Sequence, residues 1–122
     1  MKKILLSLAL IALSTSVNAQ SAIDRQIIKD NANNLGDIVN DDITILYNNY
    51  STLNEDYIPE LTNIIYNKYK MLTTDLLEDE LLELTNSVKE KMTLLLGEEL
   101  YQEISENETV LNRITGTVYL TD

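Results

Sequence analysis

Histidine, cysteine, tryptophan and phenylalanine are absent from this chain, and proline occurs once. Without histidine, the commonest general base near neutral pH and the commonest zinc ligand are missing; without cysteine, disulfides, thiol nucleophiles and Cys/His metal sites are excluded. No glycine-rich phosphate loop, nucleophile elbow or paired-histidine zinc motif occurs either. The chain reads as a non-enzyme with no catalytic residue and no cofactor. Basic residues are also scarce, nine against twenty acids. A surface of that sign repels phosphate backbones and anionic lipid, so nucleic acid is not expected as a partner.

Long apolar runs are limited to one. Lys2 and Lys3 precede the apolar stretch Ile4 to Leu13, and Val17-Asn18-Ala19 has the small-residue spacing of a cleavage site. The stretch is shorter than the roughly 20 residues a membrane span needs. Residues 1–19 therefore read as a cleaved signal peptide, and residues 20–122 as a single exported domain, periplasmic or secreted. With no cysteine to carry lipid, no membrane anchoring is expected after cleavage. Loss of Lys2 and Lys3 leaves seven cations against twenty acids, a net charge near −13.

What is present is helical pattern. From Gln20 to Tyr50, apolar residues recur at three-and-four spacing (Ile23, Ile27, Ile28, Leu35, Ile38, Val39, Ile43, Leu46, Tyr47, Tyr50). Asn31 to Gly36 interrupts this helix with poor helix formers, which predicts either a continuous helix or a break at Gly36. Asn54 is a good N-cap for a second helix over about Glu55 to Leu72, with Pro59 early enough to be tolerated. Its buried side should be Ile58, Leu61, Ile65 and Leu72, with the stem of Lys68 over the edge.

That stretch is written twice. Residues 53–72 and 76–95 agree at nine of twenty aligned positions, including Glu-Leu-Thr-Asn at Glu60 to Asn63 and Glu83 to Asn86. The second copy predicts a third helix capped by Thr73, Thr74 or Asp75, with a stripe of Leu77, Leu81, Leu84, Val88, Met92 and Leu95, ended by Gly97. A short helix over Glu98 to Ser105 should follow. Asn107 can then cap a last turn or two closed by Gly116, leaving Thr117 to Leu120 as an extended, docked tail. The fold class is all-α: three to four helices in a small bundle, or an extended array of helical hairpins if one helix runs through Thr73 to Asp75.

Acid clusters at Asp37, Asp41 and Asp42 and at Glu78 to Glu80 lack the alternating spacing of a calcium loop, so no metal site is read. Five of the seven tyrosines, Tyr47, Tyr50, Tyr57, Tyr66 and Tyr69, flank the first turn. With Leu53 they form a candidate protein-contact surface, because interfaces favour amphipathic rings; the alternative is that they finish a small core.

Leu53-Asn54-Glu55-Asp56-Tyr57 and its copy Leu76-Leu77-Glu78-Asp79-Glu80, each opening a helix, resemble the repeated Leu-Thr-x-x-Gln motif of the Spy and CpxP group of periplasmic proteins. Asn54 or Leu77 stands at the threonine position, and Tyr57 or Glu80 at the glutamine. The resemblance implies a curved helical scaffold, a homodimer, and a chaperone-like or stress-associated binder of unfolded polypeptides. The other reading is a structural or adaptor module for one specific folded partner.

The charge excess also sets a salt dependence. Like-charge repulsion opposes compaction, and salt screens it over about 10 Å at 0.1 M. The thermal unfolding midpoint of the chain from Gln20 onward should rise from low to moderate salt at neutral pH, measured by circular dichroism; a fall would mean that attractive pairs dominate.

Overall fold

The computed structural model describes residues 24–120, and the signal-peptide reading of residues 1–19 lies outside them. Among the described residues every element is helical, and all share one hydrophobic core. The described part of α1 covers 24–30. It is followed by α2 (Gly36–Asn49), a 3-10 turn (Glu55–Tyr57), α3 (Ile58–Leu72), α4 (Glu78–Leu96), α5 (Glu98–Ser105), α6 (Glu108–Thr115) and a second 3-10 turn (Thr117–Tyr119). Six helices replace the expected three to four, for two local reasons.

The first is a break between α1 and α2. The Asn31 side chain donates to the carbonyl of Ile27 at 2.7 Å, and the Asn34 amide donates to the carbonyl of Asn31 at 2.8 Å. Asparagine side chains and backbone thus close a turn where a helix would need regular ladder bonds. Gly36 is the first residue of α2, one step past the break rather than its centre. Leu35, buried just before it, pins the turn to the core.

The second is at the other end, where α6 is a full helix rather than a turn. Asn107 caps it, its Oδ1 accepting from the Val110 amide at 3.3 Å, and Gly116 closes it in the left-handed region at φ 88°. Thr117 to Tyr119 winds as a 3-10 turn instead of the expected extended tail, and Tyr119 is buried against the core.

Between them the turns are short. Asn54 caps as expected, accepting from the Asp56 amide at 2.8 Å, although it opens the 3-10 turn that leads into α3. The turn between α3 and α4 differs from expectation. Thr73 and Thr74 donate back to the carbonyls of Lys70 and Met71, each at 2.6 Å, so they close α3 instead of opening α4. Leu77 takes the N-cap position of α4, where its amide donates to Glu80 Oε1 at 2.8 Å. A continuous helix through 73–75 is therefore ruled out, and the chain folds as a bundle.

Packing uses α3 as the central element: it meets α2 on one side and α4 on another, while α6 returns to touch α2, α3 and α4. The core stripe of α3 is Leu61, Ile65, Lys68, Tyr69 and Leu72, and that of α4 is Leu81, Thr85, Val88, Met92 and Leu96. Each fully buried leucine or isoleucine contributes about 1.5–3 kcal/mol. Ile65 and Val88 occupy the same place in the repeat, yet Lys68 is buried while its counterpart Lys91 is exposed. The buried faces of the two copies overlap at Ile65/Val88 and Tyr69/Met92 but are rotated relative to each other.

Gly116 also allows a close approach, since a Cβ built there would lie 3.4 Å from Lys68 Cδ and 3.6 Å from Thr85 Cγ2. A side chain at that φ costs roughly 1–2 kcal/mol by itself. Gly116→Ala should lower stability by about that amount in urea unfolding, whereas Gly36→Ala, with open space around it and no left-handed φ, should not.

Candidate functional site

A carboxylate sits where sequence reasoning placed only apolar side chains. Asp42 falls on the buried stripe of α2 between Val39 and Leu46, and no part of its side chain reaches solvent. An unpaired charge there would cost several kcal/mol, and three side chains converge on it. Lys68 Nζ from α3 donates to Oδ2 at 3.2 Å, Tyr69 Oη donates to the same oxygen at 2.6 Å, and Arg113 Nε from α6 donates to Oδ1 at 2.7 Å.

Lys68 is itself fully enclosed. Its remaining donors reach the carbonyls of Arg113 at 3.0 Å and Ile114 at 2.9 Å. These carbonyls belong to the last turn of α6, which has no helical amide to satisfy them. The ammonium thus neutralises Asp42 and caps α6 from a different helix. It also lies 3.9 Å from the centre of the Tyr69 ring, a cation–π contact. Burial lowers the Lys68 pKa to about 8, against the pull of Asp42. Burial, with the negative charge of Asp42, raises those of Tyr69 and Tyr119.

Chemically the cluster has an amine and a carboxylate in contact, but Asp42, Lys68 and Tyr69 are shut off from any substrate. Arg113, half exposed, is its outer member. The arrangement holds α2, α3 and α6 in register. Lys68 was expected at the edge of the core; it occupies the centre, because it stands three residues after Ile65 and four before Leu72. The same arithmetic applied to Asp42 would have found its partner.

The tyrosine set is divided by the fold. Tyr69 and Leu53 are core residues, which removes them from the candidate contact surface. Tyr47 is part-buried and donates to the carbonyl of Asn54 at 2.8 Å, and Tyr50 is part-buried and directed to the carbonyl of Ile104 at 3.4 Å. Tyr57 is part-buried against the core, and Tyr66 alone of the six is exposed. Larger exposed apolar groups lie elsewhere: on α4 and its cap, Leu77, Leu82 and Leu94 are 71%, 48% and 79% exposed. Leu77 was expected in the buried stripe; as the N-cap residue it lies ahead of the helical face that meets the core. Asp37 and Asp41 are exposed while Asp42 turns inward, and no group of three or more acidic side chains among the described residues is arranged to hold a metal. No helix among them is long and apolar enough to cross a membrane.

The cluster makes an asymmetric prediction. Asp42→Ala leaves a buried ammonium without a counterion and should cost about 3–5 kcal/mol. Lys68→Met leaves Asp42 held by Arg113 and Tyr69, so urea unfolding should show a smaller loss; an equal or larger loss would mean that Lys68 carries the cluster. The pH dependence has a definite sign. Between about pH 8 and 10.5 the unfolded chain keeps a proton that folded Lys68 has released, so wild-type stability gains with rising pH relative to Lys68→Met. Above about pH 10 the stability of wild type and variant alike should also fall, because unfolded tyrosines ionise while Tyr69 and Tyr119 stay protonated in the fold.

No protein-family model, curated protein or solved structure matches this chain.

Proposed function

We propose that this chain is an exported, non-enzymatic helical protein that binds other polypeptides, in particular flexible segments that combine basic and apolar residues. The observation that carries the reading is the set of exposed leucines on α4 and its cap. Leu77 and Leu82 stand near Glu78, Asp79, Glu80 and Glu83, and Leu94 stands one turn after Glu90 and Lys91. Single exposed apolar residues are ordinary, but three leucines along one acidic helix and its cap offer apolar contacts bordered by negative charge. A basic, partly apolar segment is complementary to both properties.

Tyr57 and Tyr66 extend this reading onto the preceding turn and helix, as aromatic groups with a wet edge. The resemblance to the Spy and CpxP group supports the same class, a helical scaffold whose surface holds unfolded chains. The lack of histidine, cysteine and phosphate-binding loops supports binding over catalysis. The positive n-region, apolar stretch and Val17-Asn18-Ala19 support export to the periplasm or beyond.

Protection of aggregating client proteins tests the proposal. Light scattering from several unrelated clients should fall when the protein is present in excess, more for basic clients than for acidic ones. Replacing Leu77, Leu82 and Leu94 together by serine should abolish the protection while leaving the melting midpoint near wild type, since all three are exposed. Wild-type protein that protects no client would sink the reading, and a module for one specific folded partner would then be the better account.

A further inference from the structure

The C-terminal ends of α2 and α5 meet, for the hydroxyl of Tyr50, the C-cap of α2, is directed to the carbonyl of Ile104 in the last turn of α5. No cation stands on the elements that meet there. No lysine or arginine occurs between Lys29 and Lys68, or between Lys91 and Arg113, and α2, the first 3-10 turn and α5 all lie within those two stretches. Neither helix has a basic residue in its last turn, where exposed carbonyls and the negative end of the helix dipole favour one.

Two tyrosines hold acids beside this junction. Tyr47 and Tyr50 stand one turn apart at the end of α2. Tyr47 Oη donates to the carbonyl of Asn54 at 2.8 Å, which brings Glu55 and Asp56 next to it, and the bond to Ile104 sets Tyr50 beside Glu103 and Glu106. Burial raises the pKa of both hydroxyls, and the charges of the same acids raise them further, Glu55 and Asp56 on Tyr47, Glu103 and Glu106 on Tyr50. All four acids are exposed, and both tyrosines are only part-buried. Among the described residues no lysine or arginine pairs with these acids; Lys29 is taken by Asp75, and Lys68 and Arg113 by Asp42.

The chemistry selects the occupant. Part-buried rings bordered by carboxylates attract organic cations through the ring and the charges together. A metal ion fits poorly, because no three acids among the described residues are placed to converge on one. Two separate acid pairs beside two rings suit cations spaced along a chain. We infer that this surface, Tyr47 with Glu55 and Asp56 and Tyr50 with Glu103 and Glu106, docks the lysine and arginine side chains of an extended basic polypeptide. Such docking rests on the reading that the chain binds flexible polypeptides, but makes no use of the leucines of α4.

The test is a titration of the chain from Gln20 onward, followed by nitrogen–proton NMR, with a short acetylated and amidated peptide of alternating lysine and glycine. That probe has no apolar side chain for the α4 leucines. At low salt the amides of Ser51 to Tyr57 and of Glu103 to Asn107 should shift, and a peptide of alternating glutamate and glycine should shift none of them. Glu55→Gln, Asp56→Asn, Glu103→Gln and Glu106→Gln together should weaken binding about tenfold or more, the loss of several exposed ion pairs. Removing the same charge elsewhere, by Asp41→Asn, Asp79→Asn, Glu83→Gln and Glu90→Gln, should weaken it far less. If the first set does not fold, the pattern of shifted amides in wild type decides alone. Serine at Leu77, Leu82 and Leu94 should leave the titration unchanged, so client protection can fail while docking stands. No shift, shifts spread evenly over every acidic face, equal losses in the two charge variants, or spermidine binding as tightly as the peptide overturns the proposal.

Discussion

The carboxylate of Asp42 is the constraint on which the packing of this bundle depends. An isolated buried carboxylate is far more costly than any single apolar contact is favourable, so the helices around it are arranged by what it needs. It needs donors, and they come from α3 and α6. A register shift of one residue in either helix would remove a donor and leave the buried charge less well compensated. Apolar packing alone tolerates many arrangements of small helices; the ion cluster removes most of them. In a chain without disulfides it supplies a specificity that leucine and isoleucine do not.

The same cluster explains why α6 is a helix. A segment of eight residues is too short to be stable by itself in water. Its N-terminus is closed by Asn107, its final carbonyls by Lys68, and its outer face by the pairing of Arg113 with Asp42. The C-terminal end is satisfied by a group fixed on another helix. Gly116 then turns the chain sharply enough for Tyr119 to reach the core.

Much of this was legible in the sequence. α3 follows from its cap and three-four spacing and α4 from its spacing, although its cap was misplaced, and the ends at Leu72, Gly97 and Gly116 follow from turn chemistry. The all-helical class followed as well. The α1–α2 break was half legible: the asparagines signalled it, but its turn ends one residue before Gly36, where the break was expected. The cluster was missed because a lysine on an apolar stripe is usually taken to reach solvent by its long stem. The usable signal was a pair of opposite charges, Asp42 and Lys68, each flanked by buried positions on its own helix. The tyrosines misled for the opposite reason. Ring chemistry suits both core and surface, and only tertiary contacts place Tyr69 inside and Tyr66 outside.

The bond between Arg113 and Asp42 joins residues 71 positions apart. A chain emerging from the ribosome presents Asp42 and Lys68 well before Arg113, Ile114 and Gly116 exist to enclose them. Until then the lysine and the aspartate keep their water, for dehydrating them early is unfavourable. The enclosure of this buried pair is therefore completed only once α6 is present.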